Sequence, residues 1–345
     1  DIDRSADIVE EIIRIYGYDK IKPESIQRDT KLKKEILSDK LKSFYKSKRI
    51  IASRGYFETI TWSFVSNELP NIQGEKNNIK IKNPISSDLD TMRSSIFPNL
   101  LNAINVNVSR LFYSGKLFEV GPQFLGTKEE EQKMVATAIM YGSKNNENWN
   151  DEKRVVDVFD TKSDVFYVLS QLNVPVENLL HENSTSNYFH PGKSAKLRIG
   201  KNVIAQFGEI HPYILNKFEI KTKVNGFEIY LDELTNFQTK KISTKKAYDN
   251  NVLQIVERDF AFLLPKEVKA QEVIKLIKGI DKQLVKKVAI FDVFEGNKLP
   301  EGMKSIAFKV VLQPIEKTFT DEEIEKISKN IVELISKKFE GKLRQ

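Results

Sequence analysis

FDVFEGNKLPEGMKSIAF, Phe291 to Phe308, reads as a strand, a tight turn and a second strand. Gly296 and Gly302 flank the turn, and apolar residues alternate on either side of it. Worked outward from this hairpin, the rest of the block falls into order. Glu257–Leu264 is predicted as a strand and Ala270–Ile280 as a helix. Leu284–Phe294 and Ser305–Leu312 are the paired strands, and Asp321–Phe339 is a long helix. Thr320 stands at that helix's N-cap with acids in the first turn, and the closing KLRQ adds a short edge strand. The order βαββαβ is that of a ferredoxin-like split βαβ sandwich.

Asp292 and Phe294 are two apart on one strand, so they share a face, and Ser305 opens the strand across the turn. An aromatic ring beside a carboxylate and a hydroxyl can stack an unpaired base and hydrogen-bond its edge. The same three residues also read as a half-buried Phe with turn-capping polar groups. The block's own charge is too small to argue for RNA by electrostatics alone.

Upstream, residues 24–246 mix strands and helices without strict βαβ alternation, which implies a mainly antiparallel sheet with flanking helices. Helices are predicted at Lys34–Arg54, Phe97–Arg110 and Asp164–Leu172, the last with Ser163 as N-cap. Strands are predicted at Phe57–Val65, Lys116–Val120, Val135–Tyr141, Leu197–Ile199, Val203–Glu209 and Asn225–Leu231. Gly126–Lys133 and Ser143–Lys153 read as loops, and the lysine-rich Gln238–Asn251 as a linker. Residues 1–23 carry one amphipathic helix, DIVEEIIRIYG, ended by Gly17.

On that helix Asp7, Glu10 and Glu11 fall at i, i+3 and i+4, with Asp1 upstream. Carboxylates on one face can suit Mg²⁺; from spacing alone the reading is rather an acidic first turn that favours the helix dipole, with Glu10 paired to Arg14. His181, His190 and His211 lack metal spacing, and His190-Pro-Gly and His211-Pro look like turn residues. No GxxxxGK[ST], GxGxxG or GxSxG sequence occurs.

The chain of 345 residues has 40% hydrophobic and 30% charged residues, a soluble globular balance, and at ~150 residues per domain its length suggests two or three domains. With no cysteine, disulfide scaffolds, cysteine zinc sites and thiol catalysis are excluded, and an intracellular compartment fits. The net charge of +7 permits nucleic-acid binding without establishing it. The chain begins inside a patterned segment, as a C-terminal fragment of a longer protein would.

Taken together, the motifs resemble the C-terminal part of the β subunit of bacterial phenylalanine–tRNA ligase, over the whole chain. DIVEEIIRIYGYDKI is similar to the end of that family's B5 domain (1–23). GYFETITWSFVS, NPISSDLDTMRSSIFPNLLNAINVNVSR, LFEVGPQF, YFHPGKSA and FGEIHP resemble its catalytic-like domain (24–246), in order. ERDFAF and the opening hairpin resemble its ferredoxin-fold anticodon-binding domain (247–345).

The resemblance implies an α+β protein: a class II synthetase-like antiparallel sheet domain with flanking helices, then a ferredoxin-like anticodon-binding domain. It implies Mg²⁺ at Asp1, Asp7, Glu10 and Glu11, close to an α-subunit contact. It implies that Asp292 and Ser305 read the first anticodon base while Phe294 stands where a stacking Tyr is common. The family's class II relatives place an Arg after the GPxF-like strand end to meet the ATP α-phosphate. Here GPQF is followed by Leu125 and Gly126, and the GxGxER motif is missing. The implied role is therefore a non-catalytic, cytoplasmic part of an (αβ)₂ enzyme that makes Phe-tRNA(Phe) from ATP, phenylalanine and tRNA(Phe). This part would cover the α subunit with an apolar face and bind the anticodon. Three rivals stay open: a middle domain with nucleotide-dependent activity of its own, a structural interaction module that no longer reads tRNA, and a mitochondrial single-chain enzyme, against which the missing catalytic arginines argue.

Overall fold

A computed structural model describes residues 2–26, 36–68, 79–145, 148–150, 153–183, 186–234, 251–281, 283–296 and 299–344. Contacts divide the chain into two units, Asp1–Ile242 and Ser243–Gln345. The predicted linker, Gln238–Asn251, lies almost wholly outside the described residues.

The first unit opens with α1, Ser5–Tyr16, none of whose residues is buried. Helix α2, Asp39–Ser53, starts where the Ser38 hydroxyl accepts a hydrogen bond from the Leu41 N–H at 3.3 Å. Its predicted start, Lys34, lies outside the described residues. The strand expected over Phe57–Val65 is instead two short ones, β1 (Phe57–Glu58) and β2 (Phe64–Val65). Between them Thr61 is drawn off the sheet, its N–H and hydroxyl both donating to Glu119 at 3.2 and 2.6 Å. There follow β3 (Thr91–Met92), α3 (Phe97–Ser109), β4 (Gly115–Phe124), β5 (Gln132–Tyr141), α4 (Val158–Gln171) and β6 (Leu180–Glu182). The unit closes with β7 (Phe189–Ile199), β8 (Asn202–Ile210), α5 (Pro212–Lys217) and β9 (Val224–Tyr230).

Seven strands form one sheet in the order β1-β4-β5-β9-β8-β7-β6, antiparallel throughout except where β1 runs parallel to β4. Alternation along β5 builds a core on each face. Ala136, Ala138 and Met140 pack with Phe118, Phe227 and residues of α2 and α4, including Ile51, Val165 and Leu169. Val135, Ile139 and Tyr141 pack with α3 and α5 through Phe97, Leu101, Ile104 and Ile214. Phe97 lies so close to β9 that a Cβ on Gly226 would stand 2.8 Å from its ring, so only glycine fits there.

Helix α4 begins earlier than the predicted Ser163 cap. The Asp157 carboxylate accepts from the N–H groups of Phe159 and Asp160, and Asp160 closes the capping box by accepting from the Asp157 N–H. Two acids three apart outcompete a serine in mid-helix. Asp164 then falls inside the helix and is buried, receiving Arg54 at 2.7 Å and the Tyr56 hydroxyl at 2.9 Å. Burial, and then the Asp164 charge, push the Tyr56 phenol well above its ordinary value.

The second unit runs β10 (Val256–Pro265), α6 (Ala270–Ile280), β11 (Val285–Phe294), β12 (Met303–Leu312), α7 (Asp321–Phe339) and β13 (Lys342–Leu343). Its sheet order, β11-β12-β10-β13, places the last strand beside the first, as the βαββαβ reading requires. Thr320 and Glu323 form the capping box of α7. Phe262, Leu264, Ile306 and Phe308 point to one side and pack against Val273 and Ile277 of α6 and Ile331 and Ile335 of α7. Both helices lie on that side. No helix among the described residues is long and apolar enough to cross a membrane.

In the first unit Arg93, 2% exposed, is held by Glu119 at 2.7 Å, the Thr61 hydroxyl at 3.1 Å and the Pro122 carbonyl at 3.0 Å. Removing one partner of such a pair leaves an uncompensated buried charge, so Glu119→Ala is expected to destabilise this unit by ~3–5 kcal/mol. Chemical denaturation measures this; a loss under about 1 kcal/mol, the range of an exposed pair, would show that the clamp is not structural.

Candidate functional site

The side of the second sheet away from its helices holds the hairpin residues. Phe294 stands directly opposite Ser305, and Asp292 opposite Ala307. Directly opposed residues share a face, so all four point away from α6 and α7. This depends on a bulge. Ile290 pairs with Phe308, but Asp292 pairs with Ala307, leaving Phe291 as the extra residue. Without it, Asp292 would fall opposite the core residue Ile306 and point at the helices. Asp292 is exposed and Phe294 is 37% exposed, whereas Ser305 is 4% exposed. A Cβ on Gly296 would stand 3.1 Å from the tip of the Phe294 ring, so glycine lets the ring lie down over the turn. The result is an aromatic face beside a carboxylate, over a floor of small side chains.

On the first sheet, a row of polar residues crosses four strands. Glu119 pairs in register with Thr137, Thr137 with Glu228, and Glu228 with Gln206. All four are buried. Glu228 accepts from the side-chain amides of Gln123 and Gln206 and from the Tyr230 hydroxyl. Three donors converge on this one carboxylate. The row was missed at the level of sequence. Its signal was present: strands that otherwise alternate apolar residues each carry a polar one at an inward position. Leu125, which follows the GPQF turn, is 46% exposed, and its N–H donates to the Glu131 carbonyl at 3.0 Å.

Of the N-terminal acids, Asp7, Glu10 and Glu11 lie on α1. Asp1 lies outside the described residues. Asp7 accepts from the N–H groups of Asp3 and Arg4 and from the Arg4 guanidinium, at 2.9–3.0 Å. These bonds, the Arg4 backbone first, hold its carboxyl below the ordinary carboxylate range. Glu11, rather than Glu10, takes Arg14, at 2.6 Å. The described residues contain no group of three or more His, Asp or Glu side chains placed to hold a metal. Asp7 and Glu11 are engaged by Arg4 and Arg14, and the set of four with Asp1 reaches beyond the described residues. His190 and His211 each accept, through Nδ1, the N–H two residues on, from Gly192 and Tyr213, both at 3.1 Å, and the latter caps α5.

Comparison with known families places residues 24–231 in the description "Phenylalanyl tRNA synthetase beta chain CLM domain" and residues 252–344 in "Ferredoxin-fold anticodon binding domain". The phenylalanine–tRNA ligase beta subunit of Paramagnetospirillum magneticum is 39% identical over 349 residues, covering 100% of this chain and 43% of that protein. That of Rickettsia conorii is 38% identical over 352 residues, covering 100% and 42%. The chain thus spans about two fifths of the length of the curated relatives it matches. A solved pyrrolysyl-tRNA synthetase of Desulfitobacterium hafniense aligns over 56% of this chain and 66% of its own at 16% identity, with a TM-score of 0.44, a likeness too slight to argue from.

Because Arg4 and Arg14 occupy Asp7 and Glu11, this chain is expected to show no saturable Mg²⁺ uptake at millimolar concentrations. Isothermal titration measures it; submillimolar binding that is lost in Asp7→Asn with Glu11→Gln would contradict the expectation.

Proposed function

The chain belongs to the phenylalanyl-tRNA synthetase β-chain family, and we propose that it serves its longer protein as a non-catalytic part that docks the α subunit and reads the tRNA(Phe) anticodon. The observation that carries this reading is the open sheet face of the second unit, where Phe294 and Asp292 stand side by side with Ser305 beneath them. Stacking needs only a π face, so Phe serves where a Tyr would. Asp292 accepts hydrogen bonds and repels phosphate, which directs a base edge, not a backbone, toward it.

The first unit supports the docking role. Its sheet ends at β1, a two-residue edge strand, where Phe57 is 75% exposed, and just beyond it Ile60 and Trp62 are 91% and 64% exposed. Apolar side chains so exposed beside an open edge suit a partner chain. The same unit is poorly equipped for adenylation. The strand end that would need a cation leads into Leu125, and the buried guanidinium of Arg93 is already held by Glu119. Catalysis then falls to the α subunit in an (αβ)₂ cytoplasmic enzyme that joins phenylalanine to tRNA(Phe) using ATP. No step is assigned to Mg²⁺ at Asp1, Asp7, Glu10 or Glu11.

The test is aminoacylation by the full-length β subunit paired with α. Base–aromatic stacking contributes ~1–3 kcal/mol, so Phe294→Ala is expected to raise the KM for tRNA about ten-fold. Phenylalanyl-adenylate formation should stay unchanged. Unaltered charging in both Phe294→Ala and Asp292→Ala would replace this reading with that of a structural module that no longer reads tRNA.

A further inference from the structure

The open face carries more than the hairpin. Register extends the two rows that contain Phe294 and Asp292 across the whole second sheet. Phe294 opposes Ser305, Ser305 opposes Leu263, and Leu263 opposes Lys342. Asp292 opposes Ala307, Ala307 opposes Ala261, and the Arg344 N–H donates to the Ala261 carbonyl at 2.7 Å, which continues the pairing of β13 by one residue. Side chains opposed in this way share a face. Lys342 and Arg344 therefore point to the same side as Phe294 and Asp292, at the far edge of the same two rows. Both are exposed, and neither takes part in an ion pair among the described residues. Of the other lysines on this face, Lys309 pairs with Glu257 at 3.0 Å, and Lys287, opposite Val311, lies toward the other end of β11 from Phe294.

We propose that Lys342 and Arg344 are the phosphate-binding edge of the RNA site, so that a single-stranded segment crosses the sheet with its bases toward Phe294 and Asp292 and its backbone toward β13. The inference rests on the anticodon-reading proposal above and adds its polarity. Three interstrand spacings separate β11 from β13, ~14 Å. That is too far for the stacked nucleotide's own phosphate, so the two cations serve phosphates of the flanking nucleotides. The floor between them is made of Ser305, Ala307, Ala261 and Leu263, short or apolar side chains that let an extended strand lie close. Asp292 and the two cations form a charge gradient along the row, repelling backbone at one edge and attracting it at the other.

The experiment measures fluorescence anisotropy of a labelled tRNA(Phe) anticodon stem-loop binding to this chain, across a salt series. A phosphate contact to a single strand contributes about 0.7 to the slope of log affinity against log salt. The double variant Lys342→Gln with Arg344→Gln is expected to bind about ten-fold more weakly at low salt, with the slope reduced by about 1.4. Phe294→Ala should weaken binding with its slope unchanged. Lys326→Gln, exposed on α7 on the opposite side, should bind as the parent does. Thermal melts of each variant report the fold. If the parent chain fails to bind the stem-loop, the anticodon-reading proposal falls and this one with it. If the parent binds and Phe294→Ala weakens it, but the folded double variant keeps its affinity and slope, the phosphate edge is wrong and the anticodon reading stands. A loss in Lys326→Gln equal to the double variant's would also overturn the proposal, because the attraction would then be diffuse.

Discussion

One extra residue in β11 decides which side of the second sheet Asp292 and Phe294 face. Phe291 has no partner in β12, and the strand beyond it is shifted by one relative to the strand before it. Because side chains alternate with a period of two, that shift exchanges the faces of every residue that follows. Val293 takes the core side, while Asp292 and Phe294 take the open side, in line with Ser305 and Ala307. Without the bulge Asp292 would stand opposite Ile306, where Val293 now stands, and would face the helix side of the sheet. The bulge also sits near the end of an edge strand, where a local kink disturbs the fewest hydrogen bonds.

The first unit shows the opposite use of polar groups. Arg93, Glu119, Gln123, Gln206 and Glu228 are buried, and their bonds run to one another and to nearby groups of the protein: Thr61, Tyr230, the Ser186 N–H and the Pro122 carbonyl. Groups that bind a charged substrate must be left incompletely satisfied until it arrives. Here the carboxylates and the guanidinium are matched within the protein. A rigid sheet with an apolar edge is what a docking partner needs; an open polar cleft is what a nucleotide needs. The buried pairs therefore agree with the scaffold role proposed for this unit.

Much of the architecture was legible in the sequence, for identifiable reasons. The second unit declares itself because its hydrophobic periods, its Thr320 cap and its turn glycines all agree. The same-face placement of Asp292 and Phe294 follows from spacing alone. Their facing away from the helices does not, since a bulge leaves no mark in the pattern of FDVF. The start of α4 was misread because DVFDTKSDV offers two caps, and the choice is made by Asp160 closing a box with Asp157. The strand over Phe57–Val65 was read too long because its middle is pulled away by Glu119, a partner 58 residues distant. Carboxylate spacing on α1 was clear, but spacing does not show that Arg4 and Arg14 reach Asp7 and Glu11 first. The two cations opposite Phe294 could be found only once the register of β13 was known.

The central claim is that RNA lies on the open face of the second sheet and not on its helices. Hydrogen–deuterium exchange of this chain, with and without the tRNA(Phe) anticodon stem-loop, tests it most directly. The account predicts slower exchange in β11, β12 and β13 on adding RNA, centred on residues 291–294, 303–307 and 342–344, with α6 and α7 unchanged. Protection confined to 270–280 and 321–339 would contradict it.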